Sequence, residues 1–275
     1  MLPSQRLFTV PLLVGAALLV QGCETLDPAG SALPTLFAEQ EPPPAPPTME
    51  ERLATGLDAL SHGEWNAAIA ALVPAANDGN AQAQVVLGTL YFTGLGVQRD
   101  YADAAHWLIP AAQGGHSTAQ FVLGMIYDYG GTGVLQNRKA AARWYLLASE
   151  QGNAEAQYRL GALYQDGSGV TEDPAQAMAW FQRAAAGGNG QAMTAIGLMY
   201  AEGRGVTEND RVAMEWYRRG AAVGDTDAMK DIGEAYYLGA GVPQNRALAR
   251  EWLQRAAAAG NEQAAQRLAM PELPD

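Results

Sequence analysis

Ala156-Gln157-Tyr158-Arg159-Leu160-Gly161-Ala162-Leu163-Tyr164, then Gly167-Ser168-Gly169-Val170, then Ala177-Met178-Ala179-Trp180-Phe181, carries the pattern on which the whole chain is built. Ala156, Leu160 and Tyr164 are four residues apart and fall on one face of a helix. Ala177 and Trp180 are three apart, with Ala184 four further on, which marks one face of a second helix. The glycines between them permit positive φ in a tight loop, and Val170 is placed to plug the core beneath it. The stretch predicts a helix, a hook and a second helix.

The same columns recur to either side. Ala83, Ala119, Ala156, Ala192 and Ala228 form one, and Leu87, Leu123, Leu160, Ile196 and Ile232 the next. Gly88, Gly124, Gly161, Gly197 and Gly233 follow directly, then Tyr91, Tyr127, Tyr164, Tyr200 and Tyr236. In the second half, Trp107, Trp144, Trp180, Trp216 and Trp252 stand three residues after an Ala. Units begin at residues 79, 115, 152, 188 and 224, and a period of this length marks a stack of helical repeats. The one longer unit has an extra residue in its hook, Gly130-Gly131-Thr132-Gly133-Val134. Asp100, Asn137, Asp173, Asn209 and Asn245 sit where N-caps of the second helices are needed. A glycine in the middle of each first helix costs about 1 kcal/mol relative to Ala. Close approach of the paired helix, with a large Trp or Tyr filling the space, is the expected compensation.

This pattern resembles the Sel-one-like repeat family, a branch of the tetratricopeptide-like helical solenoids. The resemblance implies an all-α, right-handed α-α superhelical solenoid of helix-turn-helix repeats that gathers other proteins on its surface. It covers about residues 79–270. Residues 50–78 look like a degenerate leading repeat with its hook shortened to Ser61-His62-Gly63, residues 79–260 are the five repeats, and residues 261–275 are a capping helix and tail. In this family the chains reported to act on cell-wall molecules are held together by repeated Cys pairs, which are absent here.

Residues 1–22 read as a processing signal. Leu7 to Val20 is apolar apart from Thr9, Pro11 and Gly15, too short to span a membrane and the right length for a signal core. Gly22-Cys23 after such a run resembles a bacterial lipoprotein signal box, and Cys23 is the only cysteine. That resemblance implies a diacylglycerol on the Cys23 sulfur, cleavage before it and a further acyl chain on its amine. By the same resemblance, Glu24 in place of Asp implies the outer membrane facing the periplasm in preference to the inner membrane. Residues 23–49 form the lipidated end and a tether. Pro42-Pro43-Pro44 and Pro46-Pro47 exclude helix and favour extended polyproline II.

The 275 residues carry 17 Lys+Arg against 29 Asp+Glu, a net charge of −12, which argues against nucleic acid as a partner. His62, His106 and His116 have no second His or Cys at ligand spacing, so neither a metal nor another cofactor is expected. Many carboxylates have structural work instead. Glu155–Arg159, Glu215–Arg219 and Glu251–Arg255 are spaced for helical ion pairs. No catalytic motif is visible, and the expected function is a membrane-anchored, non-enzymatic scaffold; the family resemblance implies that it serves assembly of envelope proteins, such as those of polysaccharide secretion. The alternative is a cell-wall or glycan-acting hydrolase using two groove carboxylates.

The two positions before the Leu/Ile column are expected to lie off the buried stripe. They carry Val85 and Val86, Phe121 and Val122, and Tyr158 with Arg159, giving way to Thr194 and Ala195, then Lys230 and Asp231. Phe92 and Tyr129 extend the row near the hooks. Such residues either pack between units or form an apolar protein-binding groove in the N-terminal half.

Overall fold

The computed structural model describes residues 45–270. Cys23, the signal and most of the tether lie outside the described residues. Among the described residues there are thirteen α-helices, and the one β-type pairing is an isolated bridge between Gly131 and Val134 in the longest hook. The helices form hairpins: α1 (Met49–Ser61) with α2 (Trp65–Asn77), α3 (Ala81–Thr93) with α4 (Tyr101–Gln113), and α5 (Ser117–Tyr129) with α6 (Arg138–Glu150). Next come α7 (Ala154–Asp166) with α8 (Pro174–Ala186), α9 (Gly190–Glu202) with α10 (Asp210–Ala222), and α11 (Thr226–Leu238) with α12 (Arg246–Ala258). The short α13 (Glu262–Leu268) packs on α12.

Capping explains why these helices start where they do. Asp100, Asn137, Asp173, Asn209 and Asn245 each accept a backbone N–H of the first helical turn, which satisfies a donor that has no partner inside the helix. Asn80, Asn153, Asn189, Asp225 and Asn261 do the same for the other set. His116 occupies the equivalent position without making a capping bond, and its Nδ1 is buried without a partner. Each hook reaches back to the preceding hairpin. Gly169 lies against the backbone of Arg138, and Gly205 against Pro174. At these sites φ is +77° and +69°, so a side chain would be both strained and obstructed.

The mid-helix glycines mark close approach as expected, and a Tyr fills the space in two of the five units, but a Trp does so in none. The filling residue is the one directly after the Trp column, within the same hairpin: Leu108, Tyr145, Phe181, Tyr217 and Leu253. A Cβ on Gly161 would stand 2.7 Å from the Phe181 ring. The leading hairpin repeats the device, with Gly56 against Leu72. The tryptophans face the seam, packing on clusters that join the preceding second helix to their own first helix: Trp107 on the cluster of Leu72 and Leu87, and Trp216 on that of Phe181 and Ile196. Each hairpin thus buries one face internally and another against its neighbour, so the core runs as a continuous line through the stack.

A second seam device escaped the sequence reading. Gln84, Gln120 and Gln157 are buried, and each donates from Nε2 at 3.0 Å to a carbonyl near the end of the preceding second helix: Ala76, Ala112 and Ser149. Its signal in the sequence is an Ala-Gln pair at the start of the Ala column, present in three units and replaced by Ala-Met at Met193 and Met229.

Candidate protein-binding surface

First helices approach one another directly, α3 with α5, α5 with α7 and α9 with α11, whereas no two second helices come as close. The first helices therefore line the inner side of the stack. The residues before the Leu/Ile column are on this side, and they do not form a uniformly exposed row.

Val85 and Val122 are buried, 8% and 4% exposed, in one cluster with Leu108 and Leu123. The seam between hairpins covers them, which removes both from the candidate protein-binding row and leaves them as packing between units. Val86 is half-buried against the Leu72–Leu87 cluster. Phe92 is half-buried and stacks on Tyr101, with ring centroids 5.4 Å apart. Phe121 leans on Tyr145 at 6.1 Å and Tyr158 on Phe181 at 5.8 Å, so both rings cover core residues and keep an outer edge. Tyr129, at the end of α5, is 48% exposed.

The structure brings Tyr129 and Tyr158 together around Arg159, whose guanidinium lies 6.0 Å and 5.8 Å from their ring centroids. Beneath them the Tyr145 hydroxyl donates to Asp128 at 3.4 Å. Burial, followed by the nearby Asp128 carboxylate, holds the Tyr145 phenol well above its ordinary range, so it stays protonated. Burial also raises the Tyr158 phenol.

From Tyr158 a groove of about 250 Å³ runs toward the C-terminal end, past Thr194, Leu198, Asp225, Asp227, Lys230 and Asp231. Its carboxylates have structural partners. Asp225 caps α11 and accepts from the Thr194 hydroxyl at 2.8 Å, and Asp227 accepts from Asn261 at 2.8 Å. Asp231 pairs with Lys230 at 3.1 Å, and burial still pushes its carboxyl above the usual range. Of the three helical ion pairs expected from spacing, Glu155–Arg159 is long at 3.6 Å and Glu251–Arg255 is close at 2.6 Å. Arg219 stacks on Trp216 at 4.0 Å instead of pairing with Glu215. No group of three or more His, Cys, Asp or Glu among the described residues is arranged to hold a metal ion, and none of the described helices is long and apolar enough to cross a membrane.

The Sel1 repeat family model matches residues 81–116, 117–153, 154–189, 190–225 and 226–261, two residues later in each unit than the starts set by the glycines. This chain is a Sel1 repeat protein. A Sel1 repeat protein of Oxalobacter formigenes is similar over 79% of this chain and 86% of its own, with 33% identity and a TM-score of 0.73. The protein c5321, a protective antigen of uropathogenic Escherichia coli strains displaying an SLR fold, is 35% identical with a TM-score of 0.72. The match to c5321 covers 80% of this chain but only 48% of c5321. No curated protein matches the chain. Sel1 repeat proteins generally mediate protein–protein interactions and are typically non-enzymatic scaffolds.

Proposed function

We propose that this Sel1 repeat protein is a lipid-anchored adaptor of the bacterial envelope, held at the periplasmic face of the outer membrane through Cys23. It brings partner proteins together during assembly of an envelope complex, such as one for polysaccharide secretion. The observation that carries the adaptor reading is the inner side of the stack, where Phe121, Tyr129 and Tyr158 keep aromatic edges open beside a polar groove. Exposed aromatic edges on a rigid scaffold are suited to anchoring a partner. The anchor reading is supported by the apolar run and Gly22-Cys23, and several acyl chains at about 0.8 kcal/mol per buried methylene hold a protein stably at a membrane. In the groove Asp225, Asp227 and Asp231 each hold a structural partner, which favours the adaptor reading over the hydrolase alternative.

Two experiments test the two halves of this reading. Cross-linking in intact envelopes should recover stable partner proteins with the wild-type chain. Cys23→Ser should move the protein to the soluble periplasmic fraction or block its processing, and a Cys23→Ser chain that stays in the membrane at mature size ends the anchor reading.

A further inference from the structure

This inference rests on the inner side being a protein-binding surface, and it concerns what that surface recognises. Four cations stand on the helices that line it. Arg52 donates to Asp78 at 3.0 Å, Lys230 to Gln263 at 3.2 Å, and Arg267 to Glu234 at 2.8 Å. Arg159 differs from the other three. Among the described residues its guanidinium makes no hydrogen bond, and its Nε is buried without a partner. The Glu155 carboxylate stays 3.6 Å from that Nε, while its other oxygen accepts from Asn189 at 2.8 Å. Asp128 is engaged by Arg138 at 3.5 Å and by the Tyr145 hydroxyl. Nevertheless the Arg159 side chain is 31% exposed, so its outer donors are within reach of a visitor.

Arg267 shows what this position takes when it is satisfied. Both arginines directly precede the Leu/Ile column, at Leu160 and Leu268. Arg267 lies over the Tyr237 ring at 4.3 Å and receives a carboxylate from Glu234, two residues past Ile232 in the preceding first helix. The equivalent position before Arg159, two past Leu123, is Met125. The position equivalent to Tyr237 is Asp128, whose carboxylate is taken by Arg138 and Tyr145; Tyr129, one residue further on, supplies the ring instead, and the carboxylate equivalent to Glu234 is missing. A guanidinium held by ring faces keeps its edge donors free, in a fork that fits a carboxylate.

We propose that Arg159 receives a carboxylate from an acidic side chain in a partner protein's segment, and that Phe121 and Tyr129 take up an apolar residue beside it. A single guanidinium near Glu155 and Asp128, in a chain of net charge −12, suits a monoanion flanked by apolar residues better than a phosphate or a run of acids.

The test uses the full chain in detergent and two display libraries of short peptides. One has a central Glu or Asp between randomised apolar residues, and its twin has Gln or Asn there. The acidic library should enrich, and replacing the central acid in a selected peptide should weaken binding about tenfold. Arg159→Gln should abolish that difference. Arg159→Lys should retain only part of it, and Arg267→Gln should leave it intact, with melting curves confirming that each variant is folded. The proposal is overturned if the acidic library does not enrich, if both libraries enrich equally, or if the preference survives Arg159→Gln. Equal enrichment that Phe121→Asp removes would end this proposal while leaving the adaptor reading standing. Absence of any partner in the envelope cross-linking would end the adaptor reading itself.

Discussion

The hairpins α3–α6 and α9–α12 have the same backbone plan but opposite surfaces. In the first pair the inner helices carry a single charge, Asp128, and the seams are tied by buried Gln84 and Gln120. In the second pair, Met193 and Met229 replace the glutamines, and α11 alone carries Asp227, Lys230, Asp231 and Glu234. The outer side changes as well. In α10 and α12, Arg219 and Arg255 stack on the preceding tryptophans at 4.0 and 4.9 Å, as Arg183 already does in α8 at 4.5 Å, where α4 and α6 have Pro110 and Leu147. The comparison shows that the Ala, Leu/Ile, Gly and Tyr columns with the caps are enough to set the hairpin. The remaining columns are then free to differ, so recognition is written at the variable positions of a fixed frame.

The largest effect should come from the shared frame. Trp180 is 7% exposed and packs on the Tyr145 cluster, so Trp180→Ala should cost about 3–5 kcal/mol. Trp65 lies outside the Trp column, half-buried beneath the first hook, and Trp65→Ala should cost less than half as much. Equal losses in chemical denaturation would show that the tryptophan column is not a special element of the seams. Gly161→Ala comes next, because its Cβ would meet the Phe181 ring, and about 1–3 kcal/mol of destabilisation is expected. Gly233→Ala should cost less, since it meets the more adaptable Leu253 side chain, and the two melting temperatures measured side by side check the order.

A smaller effect separates the two regions directly. Gln157→Met converts an N-terminal seam to the C-terminal type. The Ser149 carbonyl still accepts from Gly152 at 3.0 Å, so the loss should be about 0.5–1.5 kcal/mol, read from urea midpoints. The smallest concerns Asp231. Burial raises its carboxyl in the folded chain, with Lys230 opposing, so ionisation is disfavoured by folding. The stability it contributes is present below the unfolded carboxyl range, near pH 4, and is lost as pH rises through the raised folded value. Asp231→Asn should therefore melt slightly above the wild-type chain at neutral pH, and the gain should close as pH falls toward 4. A gain that persists in acid would assign the effect to packing instead.

The fold was legible because its determinants are periodic and local. Asn and Asp caps, hook glycines and the Ala-Leu-Gly-Tyr face each act within one turn or one hairpin, so their spacing in the chain is their spacing in space. The candidate surface was only partly legible. Val85 and Val122 look like exposed apolar positions in a single helix, yet the neighbouring hairpin covers them, and a one-helix periodicity carries no information about that neighbour. Of the two residue types expected in the glycine notch, Tyr is found there in two units and Trp in none, because the residue that fills it is one position after the Trp column. Arg159 stood in plain view as half of an i,i+4 pair. Its placement between Tyr129 and Tyr158 depends on how far α5 and α7 are offset along the stack, which no single repeat encodes.

Photo-cross-linking in intact envelopes distinguishes the inner side of the stack from its outer side as the partner surface. A photoreactive residue would replace Tyr129 or Leu198 on the inner side, and Leu147 or Arg219 on the outer helices α6 and α10. The account predicts that the inner positions trap discrete partner proteins and that the outer positions do not. Trapping confined to Leu147 and Arg219 would contradict it and move recognition to the outer helices.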